Sequence, residues 1–316
     1  MFKPTIHTVT ISARCCLNRI TIQPLILSST SNQISEKPNY ELSFRKFYST
    51  NLKKFTKTPD LCHNEDKILT HLKLMRDKIR GHHNLNRIDS KVKFSDNLLI
   101  KFLRSRNYDV NQSLILLDTH VQHIRQKPEW FRPEPKLFKI FEDELMYLSP
   151  SHGKYDPILF SKHCRWDTEI TAHEICRSLI ILIDTLMSNE KIQLNGLTIV
   201  SDLENFPMIL TLLILKSANS VYYTRSILEN VLPCRFKEYH VVNQPDFMTS
   251  YLPLIIGHRT DVIYHRNIES LRKYVPFSLF PKHIGDFRST QNNLEYSILK
   301  EGLKDTYQFW KTIQEI

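Results

Sequence analysis

Apolar residues recur at helical spacing through the early part of the chain. Between His63 and Arg80 they fall at Ile68, Leu69, Leu72, Leu74 and Met75, a pattern that predicts a helix closed by Gly81. His82–Lys93 reads as a polar connector. Ser95-Asp96 then offers N-cap chemistry to a helix carrying Leu98, Leu99, Ile100, Phe102 and Leu103. Asn107-Tyr108-Asp109 interrupts it, and Asp109 is placed to cap the next helix, Val110–Lys127, which Pro128 ends. Leu137–Leu148 reads as a further amphipathic helix, so this part of the chain is expected to be all-helical.

From Pro157 the period changes. Short β-branched and aliphatic runs at Ile158–Phe160, Leu197–Val200, Glu238–Val242 and Val262–Tyr264 alternate with longer apolar segments at Thr171–Asn189 and Met208–Val231. Strands separated by helical crossovers imply a largely parallel sheet, with a C-terminal amphipathic helix at Leu294–Ile313.

The stretch from Leu232 to Pro245 joins a basic segment, a strand and the entrance to an apolar run. Alternation along an extended Arg235-Phe236-Lys237 puts the two cations on one side and the ring on the other. Phe247, Met248, Tyr251, Leu252, Leu254, Ile255 and Ile256 follow with almost no charge until His258-Arg259. Such a run either packs on the sheet as a helix or covers a lipid-sized cavity. Helical spacing favours the packed helix.

Composition narrows the function. The chain of 316 residues is 41% hydrophobic and 24% charged, as in a globular protein. Of its formal charge of +10, residues 1–57 hold +7, so the remainder is nearly balanced and offers no broad basic face for nucleic acid. No apolar run reaches the roughly 18–20 residues that span a bilayer. Six cysteines without CxxC spacing point to reduced thiols. The six glycines are isolated, which removes the P-loop, GxGxxG and the nucleophile elbow together. Residues 1–35 lack any acidic residue, the composition of a transit peptide or of a disordered extension.

Smaller motifs lead nowhere catalytic. His120 and His123 have i, i+3 spacing but no accompanying Cys or carboxylate cluster, and are expected on a solvated face. Cys164 lacks the arginine six positions on that a phosphatase requires, and His173-Glu174 lacks the second histidine of a zinc protease. Asp202 and Glu204, at a strand end, fit capping and ion pairing better than acid–base work.

Four segments together resemble the CRAL-TRIO family of lipid-transfer proteins, especially its tocopherol-transfer and retinaldehyde-binding branch. They are Asp96–Asp109 (DNLLIKFLRSRNYD), Asn195–Glu204 (NGLTIVSDLE), the Leu232–Pro245 stretch with Arg235, His240 and Asn243, and the tail from Val275-Pro276 to Phe287. The resemblance implies an α/β fold in which an N-terminal helical bundle precedes a CRAL-TRIO domain, whose mostly parallel sheet is flanked by helices around a lipid cavity. Its boundaries would be a disordered or targeting extension at 1–57, helical domain at 58–132, lipid-binding domain at 133–290 and C-terminal helix at 291–316.

The function so implied is a non-enzymatic intracellular carrier that is monomeric, needs no cofactor beyond its lipid cargo and binds neither metal nor nucleic acid. It would hold one hydrophobic lipid of tocopherol or retinoid type and dock on membranes containing phosphatidylinositol bisphosphate. The alternative is a lipid-sensing module that recruits a protein partner without transferring cargo. Location would be cytoplasmic with transient membrane association, or mitochondrial if residues 1–48 target it. Family positions for the headgroup fall on Arg106, Arg235 and Lys237, with Arg259 standing in for a further cation. Cys176, Leu179, Ile183, Leu197, Ile227, Leu228 and Phe236 are expected to line the cavity. Phe247, Met248, Tyr251, Leu252, Ile255 and Ile256 would form a membrane-contacting lid that starts at Asp246 and is interrupted by Pro253. Leu179 and Ile183 stand where tocopherol-binding relatives place serines, which implies a more uniformly apolar ligand.

Overall fold

The computed structural model describes residues 65–134, 137, 140, 145–149, 156–167, 169–250, 262–280 and 292–316. Expectations for residues 1–57, for the lid beyond Ser250 and for the tail after Phe280 lie outside them. Residues 54–316 form one compact unit.

The N-terminal helices follow their caps. Helix α1, Glu65–Gly81, has Glu65 and Asp66 in its first turn and Lys78 and Arg80 in its last, complementing the helix dipole, and buries Leu72, Met75 and Ile79. The supposed connector is instead a helix, α2, His83–Val92, which buries only Leu85 and Ile88. With so few apolar residues its period is faint. Two end devices define it: the His82 ring accepts from the Leu85 amide at 3.3 Å, and Lys93 ends the helix in the left-handed region at φ 54°. Ser95 caps α3, Asp96–Ser105, and Asp109 caps α4, Val110–Gln126, as their side-chain chemistry predicts. A 3₁₀ turn at Pro128–Phe131 then buries Trp130 and Phe131.

The sheet has five strands in the order β1-β2-β3-β4-β5: Met146–Leu148, Ile158–Lys162, Leu197–Asp202, Phe236–Val242 and Val262–His265. β1 pairs antiparallel with β2 and the other pairs are parallel. The helix expected to run to Leu148 therefore gives way to a strand. Met146, Tyr147 and Leu148 alternate against Ser161, Phe160 and Leu159, and that pairing overrides helical spacing. β4 starts before the β-branched run predicted for it.

Alternation divides the sheet residues between two cores. Leu159, Leu197, Ile199 and Val241 join the larger cluster, which takes in α5 (Ala172–Leu186), α7 (Met208–Lys216), α8 (Ala218–Asn230) and the N-terminal helices. Ile158, Phe160, Val200 and Val242 join a smaller one with Leu271 of α9 (Ile268–Leu271), Val275, Leu279 and Phe280. Thr171 and Glu174 form a full capping box at the head of α5. A short helix, α6 (Glu190–Asn195), leads into β3. The single helical region expected at 208–231 is broken at Ser217, which ends α7 and opens α8.

The C-terminal helix α10, Asn292–Gln314, completes the larger core by burying Trp310 and Ile313. Trp310 donates from Nε1 to Asp184 Oδ2 at 3.0 Å, while Lys101 Nζ holds the other oxygen at 3.0 Å. His120 is not solvated as its neighbours on α4 led us to expect. It is fully buried, with its Nε2 3.7 Å from Asp184 and its ring among Phe102, Phe131 and Phe309. Burial pushes its pKa down to about 4 against the pull of Asp184. Asp184 is itself fully buried, yet Lys101, His120 and the Trp310 donor outweigh that burial and hold its carboxyl below the usual range.

Candidate functional site

Between the sheet and α5, α7 and α8 lies a layer of apolar side chains that are only partly buried. It includes the expected residues Cys176, Leu179, Leu228 and Phe236, joined by Leu213, Ile214 and Tyr239. Ile183, Leu197 and Ile227 are packed on all sides, at 0%, 0% and 1% exposure. Burial raises the Cys176 thiol to about 11, against a hydrogen bond with Thr224, so it is held protonated.

The segment leaving β4 packs against the same core. Asp246–Ser250 is a 3₁₀ turn, not the α-helix expected to start there. Phe247 packs against the core, and Met248 is buried with its sulfur accepting from Thr211 Oγ1 of α7 at 3.5 Å. Tyr251, Leu252, Ile255, Ile256 and Arg259 lie outside the described residues.

The cations gather at the opposite end of β4. Asn107 and Tyr108 both adopt positive φ, turning the chain sharply after α3. The Asn107 side chain accepts from Arg235 Nη1 at 3.0 Å, one residue along from Arg106. Arg235 also donates to the carbonyls of Gln193 and Leu194, so its guanidinium ties β4 to the end of α6. Arg106 ends α3 and donates to the Ser105 carbonyl at 3.2 Å. Nearby, Arg104 pairs with Glu190 and Gln193. Lys237 is the extra residue of a bulge, since Leu197 pairs with Phe236 and Thr198 with Glu238. Its ammonium is 3.4 Å from Asp156, with the side chain 47% exposed.

Gly196 makes this corner close. It adopts φ 85°, and a Cβ there would stand 3.3 Å from the Arg235 carbonyl and from the Lys237 amide. Only glycine lets the α6–β3 turn lie so near the bulge.

Three features escaped sequence reasoning. First, Met208, Ile209, Leu212 and Leu215 of α7 are 50%, 51%, 58% and 39% exposed and lie along one helical stripe beside the Met248 turn. An apolar segment read as core thus presents much of its surface outward. Second, His240 and His265 join β4 to β5 through a 2.9 Å ring contact. With Glu238 accepting from His240 Nε2 at 3.1 Å, His240 Nδ1 is left to accept from His265. Third, hydroxyls link β2, β3 and β4: Ser161 Oγ lies 2.9 Å from Ser201 Oγ, which lies 2.8 Å from Tyr239 Oη. Their partners come from different strands, so no local motif announces them. Asp202 accepts from the Glu204 amide and from Asn243, both at 2.9 Å, and so pins the turn after β3.

Comparison with known proteins places this geometry. Residues 142–285 match the model of the CRAL/TRIO domain. The alpha-tocopherol transfer protein-like proteins of Homo sapiens and Pongo abelii are each 24% identical over 280 residues, covering 83% of this chain and 77% of theirs. Clavesin-1 of Xenopus laevis is 22% identical over 213 residues, 61% of each chain. The crystal structure of Sfh5 aligns at TM-score 0.47 and 12% identity, over 74% of this chain and 91% of that one.

Proposed function

From a chain that carries a CRAL/TRIO domain over residues 142–285, we propose a carrier that shields one hydrophobic lipid of tocopherol or retinoid type and exchanges it at phosphoinositide-bearing membranes. The observation that carries this reading is the outward stripe on α7 beside a buried lid turn. Four large apolar side chains on one short helix are costly in water. Because each is about half exposed, immersion in a bilayer stabilises each by roughly 0.7–1.5 kcal/mol. Met248 bonds to Thr211 on that same helix, so a membrane that takes up α7 also meets the hinge of the cover. Among the described residues no helix is long and apolar enough to cross a membrane, which fits contact at the surface.

The basic corner would supply the headgroup contact. Lys237 is the cation best placed to turn outward, because it is half exposed and held, among the described residues, by one long ion pair to Asp156. Arg235 does structural work as well, through its bonds to Asn107 and α6.

Vesicle flotation separates the two contributions. Leu212→Glu is expected to abolish binding to all vesicles, since it puts a charge into the apolar stripe while leaving the exposed site folded. Lys237→Ala is expected to weaken binding about fivefold, near 1 kcal/mol, only where phosphatidylinositol bisphosphate is present. Unchanged binding by both variants, with cargo still released, would sink the docking surface.

A further inference from the structure

The acid that faces Lys237 is held more firmly than the lysine itself. Asp156 stands just ahead of β2, and its two oxygens have different tasks: Oδ1 accepts from the Asn195 side-chain amide at 2.7 Å, while Oδ2 lies 3.4 Å from Lys237 Nζ. Asn195 is the last residue of α6 and immediately precedes Gly196, whose turn lies against the backbone of Arg235 and Lys237. Carboxylate, amide and bulge are therefore one assembly. The contacts that fix the acid in it do not involve the Lys237 ammonium.

Exposure separates the two members in the same sense. The Asp156 side chain is 17% exposed and that of Lys237 47%. In the neighbouring pair of Arg104 with Glu190 the order is reversed, with the cation sheltered and the acid exposed, and there the guanidinium is the structural member. At Asp156 the acid is the fixed half and the cation is the half that swings. A long pair to a half-exposed lysine adds little to stability, so stability does not account for an acid at this place. Its effect is electrostatic: Lys237 brings a positive charge to the basic corner, and Asp156 cancels it at short range.

What draws the ammonium away decides what this cancellation does. Phosphatidylserine offers Lys237 groups of unit charge, a carboxylate and a phosphodiester, so leaving Asp156 for one of them exchanges like for like. A phosphomonoester carries about −1.5 to −2 charges on three acceptor oxygens, and an ammonium has three donors to give it. That exchange is favourable. The acid stays where Asn195 holds it, and from roughly 5 Å it weakens the arriving phosphate by a factor of about two once salt screening is included.

We propose that Asp156 is a specificity-determining residue of the basic corner, a built-in counter-ion that withholds Lys237 from membranes of diffuse negative charge and yields it to a phosphomonoester on a bilayer surface. The inference rests on the reading of that corner as a phosphoinositide contact and deepens it. It gives the reason why loss of Lys237 is felt only where phosphatidylinositol bisphosphate is present: toward any other anionic lipid, Asp156 has already neutralised the cation.

The test is flotation of the full chain with two sets of phosphatidylcholine vesicles, one containing phosphatidylserine and the other phosphatidylinositol bisphosphate, at matched surface charge. Asp156→Asn removes the charge and keeps an oxygen for the Asn195 amide, and Asp156→Ser is a second variant of the same kind. Binding to phosphatidylserine vesicles is expected to rise about fivefold, the worth of one cation near an anionic surface, with the melting temperature unchanged. Binding to phosphatidylinositol bisphosphate vesicles should rise only about twofold, so the preference between the two narrows. In a Lys237→Ala background both rises should largely vanish, because the acid then has no cation to withhold. Lys237→Ala alone, with Asp156 in place, should leave phosphatidylserine binding unchanged. Unchanged or weaker binding of both Asp156 variants, while Lys237→Ala still weakens binding to phosphatidylinositol bisphosphate, overturns the counter-ion alone and makes Asp156 a positioning residue for Lys237. Rises that persist in full without Lys237, or a loss on phosphatidylserine vesicles from Lys237→Ala equal to that on the other set, also overturn it. If the unaltered protein and Lys237→Ala bind both vesicle sets alike, the docking reading falls and the counter-ion falls with it.

Discussion

His120, Asp184, Lys101 and Trp310 show how much of this protein's stability rests on single buried polar atoms. Asp184 is 1% exposed and receives Lys101 and Trp310 on its two oxygens, so replacing it strands an ammonium whose side chain is only 11% exposed. Asp184→Asn is expected to cost about 3–5 kcal/mol in urea unfolding, as for a broken buried ion pair. Trp310→Phe keeps the ring and loses one donor, and should cost about 1–3 kcal/mol. The histidines set a pH dependence. His120 and His163 are both held near a pKa of about 4, below their value of 6.5 in the unfolded chain, so the unfolded chain binds more protons between those values. Stability is then full above pH 6.5 and falls toward pH 4, by up to about 1.4 kcal/mol per pH unit for each histidine. His265, lowered by burial and by His240, acts in the same direction. Below that window Asp184 adds to the loss as its carboxyl takes a proton. Urea titrations at pH 7, 6 and 5 should show this slope, and His120→Phe should reduce it by about one proton. An unchanged slope would mean that His120 stays protonated in the fold. Sequence could not reveal this residue, because a histidine among Asp118, Thr119 and Gln122 reads as solvated until Phe131 and Phe309 arrive from elsewhere in the chain.

Capped and periodic elements were readable, while those made by pairing were not. Ser95, Asp109 and Thr171 announced three helix starts because a cap is a local hydrogen bond between near neighbours. The parallel order of β2 to β5 followed from alternation of strand and helix. β1 stayed hidden because its identity depends on Ser161, Phe160 and Leu159 downstream, and α2 because its caps are a histidine and a left-handed lysine. The basic corner was half legible. The sequence shows Arg235 and Lys237 two apart, but the bulge that separates their tasks depends on the register against Leu197 and Thr198. Gly196 is the hinge of that arrangement, so Gly196→Ala is expected to cost about 1–2 kcal/mol through its positive φ and the 3.3 Å approach to β4. On the proposed docking reading, the same change should also weaken vesicle binding by pushing Lys237 from its place. Gly196→Asn should be no milder, because φ 85° with ψ 164° lies outside the left-handed well that asparagine tolerates. Full stability of Gly196→Ala in urea unfolding would remove the backbone as the reason for glycine here.

At the scale of the whole molecule, the C-terminal helix packs the N-terminal bundle against the layers around the sheet. The expected boundaries near 132 and 290 follow changes of pattern along the chain, whereas the larger core runs without a break from Leu72 to Ile313. α10 adds to direct ties such as Lys101 to Asp184, Arg104 to Glu190 and Trp130 against His173. Gly302 lets that helix cross α5 closely, since a Cβ there would meet Thr185 Cγ2 at 3.3 Å and Ser188 Oγ at 3.4 Å. Trp310 stacks edge-on to Phe131 at 5.7 Å and bonds Asp184, while Phe309 faces Phe94 and His120. Deleting residues 292–316 would therefore remove two fully buried side chains, Trp310 and Ile313, and take a donor from a buried carboxylate. Each large side chain lost from a core costs about 2–5 kcal/mol, and the stranded acid adds about 1–3 more. That total reaches the 5–15 kcal/mol that holds a typical domain together. The chain ending at residue 291 is accordingly expected to lose cooperative unfolding and to bind a dye specific for exposed apolar surface, even with every residue of the CRAL/TRIO match at 142–285 still present. Should it instead unfold cooperatively within a few degrees of the full chain, α10 is a surface attachment and the layers around the sheet stand without it.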